Sequence, residues 1–347
     1  MKEIIKKFKD QKIAVFGDLI LDKYIYGEVN RISPEAPVPI VRVLKEKIVP
    51  GGAANVAANI STLGGNALLF GIVGNDRSKD VLLHKIEEMN ITTSGIVIDQ
   101  NKTTTLKTRV IGLNQQLLRI DHDNTNYLEL HQETKFINKL KEVKDLSAIL
   151  ISDYAKGTIT KQLMSQLITY SKNNKIPIII DPKPKHQEWY AGSTLITPNK
   201  KEAQEMSGMI IETKMDFINS GEKLVNKFNS DIIITAGAEG MYVFEKDKRD
   251  KVKGISEKKT LFNSTHNSQL KTQNLTFTHI PTVAREVYDV SGAGDTVAAT
   301  MSLAISSGAS LIDAAELANR AAGIKVGKIG TKPVFLEELL KEIQENK

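Results

Sequence analysis

Residues 147–181 read SAILISDYAKGTITKQLMSQLITYSKNNKIPIIID, and this stretch decides the fold. Its ends, 147–153 and 176–181, are short apolar runs without polar alternation, while 161–172 between them has a helical pattern. Strands that are apolar throughout are buried on both faces, and their alternation with helices indicates βαβ units with parallel strands. The same rhythm extends outward through 12–18 (KIAVFGD), 66–74 (NALLFGIVG), 194–197 (TLIT) and 231–237 (DIIITAG), with helical segments at 52–63, 76–89 and 217–228. The expectation is an α/β fold, a doubly wound, mostly parallel sheet flanked by helices, formed by residues 1–347 as one domain.

Two stretches break the rhythm. Residues 23–49 hold three prolines and the alternating VPIVRV, and residues 91–121 hold TTTLKTRVIG and QQLLRID. Alternation of polar and apolar residues suits strands exposed on one face, so a small separate β lid is expected from 23–49 and 91–121. Sheet edges exposed in such a layer commonly pair with another copy. The stretch 246–274, rich in Lys, Asn, Ser and Thr, is read as a mobile surface insertion.

Composition narrows the function. The 347 residues include no cysteine, which excludes a disulfide framework, a thiolate zinc site and a catalytic thiol. No apolar run reaches the roughly 18 residues of a membrane helix, and the charged start lacks the apolar core of a signal peptide, so an untargeted cytoplasmic protein is expected. The net charge is +6, and four of those six charges come from residues 245–271, leaving no basic face interleaved with aromatics. Neither nucleic acid nor a membrane is an expected partner.

The strongest chemical signal is 288–296, YDVSGAGDT, followed by a small-residue helical run. Gly292 and Gly294 let the backbone approach a ligand, and the free N–H groups and dipole of the helix start form an anion site. Asp295 in the first turn is placed to accept a hydroxyl proton while the Ala293 and Gly294 amides stabilise a transferring group. Taken alone, the motif is equally a glycine-rich turn before a helix. Other strand ends add to it, since ligands of open α/β sheets bind there. Asp18 can accept hydrogen bonds from a polyol, and Gly51, Gly52 and Asn55 open a helix with an amide one turn in. Asn199 and Glu202 in TPNKKE suit a Mg²⁺ held through waters. Thr235, Gly237 and Gly240 follow a strand with GxxG, compatible with a nucleotide phosphate or an ordinary hairpin. No P-loop, protein-kinase motif or dinucleotide fingerprint is present, and the six histidines show no ligand spacing.

The pairing of GGAANVA near the start with DVSGAGDT near the end resembles the ribokinase-like, phosphofructokinase-B type sugar kinases. Within that family the 15–43 segment, PGGAANVAANISTLGG, NQQLLRID, LISDYAKG, DPK, ITPNKKE and ANRAAGIKVGKIGT resemble the heptose 7-phosphate kinases, over nearly the whole chain. The resemblance implies ATP-dependent phosphorylation of the C1 hydroxyl of a heptose 7-phosphate, with Mg²⁺ and a K⁺ ion at Asp289. It implies Asp295 as the base and Gly292, Ala293 and Gly294 as the anion hole. Asp18, Gly51, Gly52 and Asn55 would hold the sugar; Gly237, Gly240 and Asn319 would border the nucleotide. A homodimer through the β lid is the family expectation. A phosphorylated acceptor demands positive charge, for which Arg31, Lys107, Arg109, Arg119, Lys156 and Lys183 are candidates, Lys183 also beside the nucleotide. The chain lacks the H-x-G-H motif of an adenylyl-transferring domain, so the single-function kinase form is expected. The alternatives are a kinase of another sugar phosphate, such as fructose 6-phosphate, and a non-catalytic sensor of sugar or nucleotide.

Overall fold

The computed structural model describes all residues except 114, 247–260, 264–267, 273–274, 285, 329–331 and 346–347. In chain order the first elements are α1 (Lys2–Ile5), β1 (Lys12–Gly17), β2 (Leu19–Ile32), β3 (Pro39–Gly52), α2 (Ala53–Thr62), β4 (Asn66–Gly74), α3 (Arg77–Glu87), β5 (Thr92–Asp99), β6 (Thr105–Gly112) and β7 (Gln115–His122). There follow α4 (Leu130–Glu142), β8 (Ala148–Ser152), α5 (Lys161–Asn174), β9 (Ile178–Asp181), β10 (Leu195–Ile196), α6 (Lys200–Ser207), α7 (Lys214–Phe228) and β11 (Asp231–Thr235). The last are β12 (Met241–Lys246), β13 (Leu261–Asn263), β14 (Ser268–Thr272), β15 (Leu275–Ile280), α8 (Ala293–Ser306), α9 (Leu311–Val326) and α10 (Leu336–Glu345).

The expected βαβ unit is β8, α5 and β9, whose strands pair in parallel with Leu150 opposite Ile179. Thr160 caps α5 by accepting the Leu163 N–H at 3.0 Å, and Lys175 in a left-handed conformation ends it. The central sheet runs β13-β14-β15-β12-β11-β10-β9-β8-β1-β4-β5, parallel from β11 to β5 and antiparallel on the other side of β11. Alternate residues of β8 serve two cores: Ala148 and Leu150 face the layer of α2, α8 and α9, and Ile149 and Ile151 face that of α4, α5 and α7. Each fully buried Leu or Ile side chain contributes about 1.5–3 kcal/mol, which is why these strands are apolar on both faces.

A second sheet of four strands, β3-β2-β6-β7, stands apart from the central one. It differs from the expected lid at two places. Residues 92–99 form β5, the edge strand of the central sheet, so this contribution starts at Thr105 and not at 91. An edge strand meets solvent along one side and alternates in burial much as a lid strand does, which is why pattern alone merged them. The layer also begins earlier, at Leu19, because only Asp18 separates β1 from β2. The stretch 246–274 lies mostly outside the described residues.

Helices α2 and α8 pack against each other through Ala53, Ala54, Ala57 and Ala58 on one and Ala298, Ala299 and Ala304 on the other. Such small side chains let the backbones approach closely. Two buried polar bonds become reachable between them: Asn55 Nδ2 to Asp295 Oδ2 at 2.6 Å, and Thr296 Oγ1 to Asn59 Oδ1 at 3.0 Å.

Candidate active site

Asp295 lies in the first turn of α8, 6% exposed. Its Oδ2 accepts from Asn55 and its Oδ1 accepts from the Tyr154 hydroxyl at 2.8 Å. Burial raises its pKa above the ordinary aspartate value, the two hydrogen bonds pull it back, and the charge of Asp22 raises it further. The Tyr154 phenol is pushed well above its usual value, first by burial and then by Asp295, so it remains a donor. A buried carboxylate held in one orientation by two neutral donors is suited to take a proton from a bound hydroxyl.

The turn before Asp295 is built around Gly292, at φ +77°. A β-carbon there would come within 2.9 Å of Asn55 Nδ2 and 3.4 Å of Lys325 Cε, so glycine is required twice over. No side chain caps α8. The Ala293 amide, expected to face a ligand, instead donates to Val290 O at 3.2 Å and closes the turn. Helical geometry leaves the Gly294 and Asp295 amides for an anion, and a β-carbon built on Gly294 meets nothing within 4 Å.

The sugar side corrects one expectation. Asp18 is 2% exposed and accepts three backbone N–H groups, from Tyr154 at 2.9 Å and from Lys156 and Thr158 at 3.0 Å. It fastens the 154–158 loop to the end of β1. Asp22, four residues on and not singled out from sequence, faces the site. It bonds Arg109 Nη1 at 2.5 Å, acts electrostatically on Asp295, Tyr154 and Lys107, and abuts Gly51, where a β-carbon would meet its Oδ2 at 2.2 Å. Gly52, at φ +56°, opens α2, and the Ala53 N–H donates to Asp18 O at 3.0 Å.

Among the basic candidates, Lys107 lies over the Tyr154 ring at 5.9 Å and Arg109 over the Tyr24 ring at 5.2 Å, both beside Asp22. Lys156 pairs with Asp123 and lies within electrostatic reach of Lys107. Arg31 is exposed toward the far end of β2, and Arg119 pairs with Asp121 at 3.0 Å on exposed β7. These two are not brought to the site.

At the ends of β9 to β11, Asn199 and Glu202 form a capping box on α6: Asn199 Oδ1 accepts the Glu202 N–H, and Glu202 Oε2 accepts the Asn199 N–H, both at 3.0 Å. Lys183 Nζ stands 3.8 Å from Glu202 Oε1. Asp181, the last residue of β9 and also missed from sequence, has its carboxyl pushed well up by burial and then by Asp295, Glu202 and Asp153. Among the described residues no three His, Cys, Asp or Glu side chains converge to ligate a metal directly. The mutual repulsion of Asp181 and Glu202, with Asn199 between strand end and helix, is a donor set that fits a divalent cation held through water.

Thr235 ends β11 and donates its N–H to Pro198 O at 2.9 Å, beside Asn199. Gly237 and Gly240 lie in the connection between antiparallel β11 and β12, so the GxxG is a hairpin; a β-carbon on Gly237 meets nothing, whereas one on Gly240 would strike Ile280 O. Asn319 is buried on α9 and donates to Pro281 O at 2.7 Å, tying that helix to the end of β15.

The profile of the pfkB family carbohydrate kinases matches residues 10–265 and 267–338. The chain belongs to this family. As a pfkB-family sugar kinase it is 39% identical over 334 residues to the bifunctional protein HldE of Geobacter metallireducens, covering 96% of this chain and 63% of that protein. It is likewise 39% identical over 337 residues to the bifunctional protein HldE of Helicobacter hepaticus, covering 96% of the chain and 64% of that protein. The chain thus spans slightly under two thirds of the length of these relatives. Its ribokinase-like fold resembles phosphofructokinase-2 from Escherichia coli in complex with substrates and products (TM-score 0.74, 17% identity, 96% and 99% of the two chains). It also resembles Arabidopsis thaliana ribokinase complexed with ribose and ATP (TM-score 0.70, 17% identity, 96% and 98%). No helix among the described residues of this kinase is long and apolar enough to cross a membrane.

Proposed function

We propose that this sugar kinase transfers the γ-phosphoryl group of ATP to the C1 hydroxyl of D-glycero-β-D-manno-heptose 7-phosphate, giving the 1,7-bisphosphate used in ADP-heptose and lipopolysaccharide core synthesis. The observation that carries the reading is Asp295, buried and held by Asn55 and Tyr154 beside the open amides of α8. The Asp295 carboxylate takes the proton of the C1 hydroxyl as its oxygen bonds to the γ-phosphorus, the bond to the β-phosphate oxygen breaks, and ADP leaves. The Gly294 and Asp295 amides face the charge on the migrating group. Asp22 and Asn55 orient acceptor hydroxyls, and Lys107, Arg109 and Lys156 supply the positive charge a phosphorylated acceptor requires. Asp181, Glu202 and Asn199 would hold Mg²⁺, which when bound offsets phosphate charge.

The similarity to the HldE proteins along 96% of the chain supports the heptose acceptor. A homodimer through the second sheet is part of the proposal: Ile32, Val43, Leu44, Leu118 and Ile120 of that sheet are exposed, an apolar surface a second copy would cover. A cytoplasmic location fits a substrate pair of ATP and a sugar phosphate. An ADP-release assay across heptose 7-phosphate, fructose 6-phosphate, ribose and adenosine tests the reading. Turnover is expected to be highest with heptose 7-phosphate; preference for fructose 6-phosphate or for an unphosphorylated sugar would overturn it.

A further inference from the structure

Lys325 is the one lysine of α9's apolar last turns, in the run AAGIKVG, and it is 0% exposed. Its stem passes under the α8 turn, where its Cε comes within 3.4 Å of a β-carbon built on Gly292. The ammonium lies within electrostatic reach of the carboxylates of both Asp289 and Asp295, with the charges of Lys328 and Lys47 opposing them. The arrangement is fixed by backbone: the Tyr288 and Asp289 N–H groups both donate to Val326 O, at 2.8 and 3.2 Å, stitching the Asp289 segment to the residue after Lys325.

Taking an ammonium out of water is costly unless opposite charge compensates it; here burial lowers the Lys325 pKa from the ordinary lysine value, and Asp289 and Asp295 offset part of that cost. The helix also favours a cation at this place, because Lys325 is in the last turn of α9, where the carbonyl end of its dipole lies. Asp289, the residue expected to hold a K⁺ ion, thus already has a protein-borne cation acting on it, so its surroundings do not call for a free one.

We propose that Lys325 is the resident cation of the phosphoryl-transfer turn, a tethered ammonium that fixes Asp289 and Asp295 from behind and makes transfer independent of any free monovalent cation. The inference rests on the reading of Asp295 as the transfer centre. Lys325 is a positioning residue: it acts through the turn, and its charge adds to the low-dielectric field of the two open amides without having to be gathered from solvent.

The test compares the full chain with Lys325→Met and Lys325→Arg in KCl and in tetramethylammonium chloride at equal ionic strength, reading kcat, acceptor KM and the Tm of the protein without substrates. The wild type is expected to change less than about twofold in kcat between the two salts and to show no K⁺-specific rise in Tm. Lys325→Met should lose about tenfold or more in kcat in tetramethylammonium with KM little changed, the scale of removing one charge-stabilising group. K⁺ should restore part of that loss and raise the variant's Tm, as any ion bound only by the folded state does. Lys325→Arg should retain most of the turnover. A wild type that needs K⁺, a Lys325→Met protein with wild-type kcat, or a loss that K⁺ does not restore would each overturn the proposal. If no acceptor is phosphorylated, the functional reading fails, and the Tm comparison still decides whether a free cation binds beside Lys325.

Discussion

The Nδ2 of Asn55 lies 2.6 Å from Oδ2 of Asp295, joining the first turns of two helices whose bonded residues are 240 positions apart in the chain. Together with the Tyr154 hydroxyl on Oδ1, the bond holds the carboxylate in one orientation. Asn55→Ala removes it while Asn59 and Thr296 still tie α2 to α8. Turnover should fall about 10-fold or more, the cost of misplacing a catalytic group, with a change in Tm of a few degrees at most. Steady-state kinetics beside a melting curve checks this.

Asp295→Asn should retain ATP binding and lower turnover by on the order of 10²–10⁴, the usual worth of a positioned base. Isothermal titration with a non-hydrolysable ATP analogue and the ADP assay separate the two quantities. Near-wild-type turnover in this variant would contradict the role assigned to Asp295.

As the proposed base, Asp295 must be ionised to act, and burial holds its pKa above the ordinary aspartate value. The rate should therefore decline as pH falls through that raised pKa, at a higher pH than a solvent-exposed aspartate would give. The Tyr154 hydroxyl donates to the ionised form and lowers the pKa, so Tyr154→Phe should move the acid limb of the kcat profile upward. A limb that stays in place would remove Tyr154 from the mechanism.

Gly292→Ala places a methyl within 2.9 Å of Asn55 Nδ2 at φ +77°. Strain of about 1–2 kcal/mol is expected from the backbone alone, and the Asn55–Asp295 bond must also shift. Turnover should drop more than stability does, as read by parallel denaturant melts and kinetics.

Asp18 and Asp22 should respond differently. Asp18→Asn turns one of the two oxygens that accept three loop amides into an NH₂ donor and should lower the unfolding midpoint, by about 1–3 kcal/mol for the buried amide left unsatisfied. Asp22→Asn should leave the midpoint closer to wild type and raise the acceptor KM about tenfold, since its carboxylate faces the cleft beside Arg109 and Lys107.

The parallel core was legible because a strand buried on both faces leaves a mark in composition alone: Ile149, Leu150 and Ile151 carry no polar alternation, and all are buried. The 92–99 edge strand was not legible, because half-exposure produces the same alternation in a central edge as in a separate layer. The glycine turn at 292–294 and Asn55 were visible as motifs, and the structure brings them to Asp295. Asp22 was hidden by its neighbour: Asp18 sits at the strand end where ligands usually meet an α/β sheet, but backbone amides claim it. Period-two alternation along β2 places Asp22 with Ile20 and Tyr24, one face of the second sheet, and a carboxylate in that apolar company was the available signal. Asp181 had a similar one, as the acid that ends the run IPIIID. Tyr154 and Lys325 depend on loop and helix packing that no local pattern encodes.

The second sheet leaves and rejoins the core along one short edge: β2 starts right after Asp18, β3 ends at Gly52 with the Ala53 N–H bonded to Asp18 O, and β6 and β7 cross beside them, Thr105 opposite Ile20 and His122 opposite Leu106. Any rocking of that sheet pivots there, sweeping Asp22, Gly51 and Arg109 through an arc while Asn55, Tyr154 and Asp295 stay with the stationary body. In the proposed function, substrate choice and proton removal are consequently mounted on separate mechanical parts, and engineering of the swinging part changes what is grasped without rebuilding what reacts.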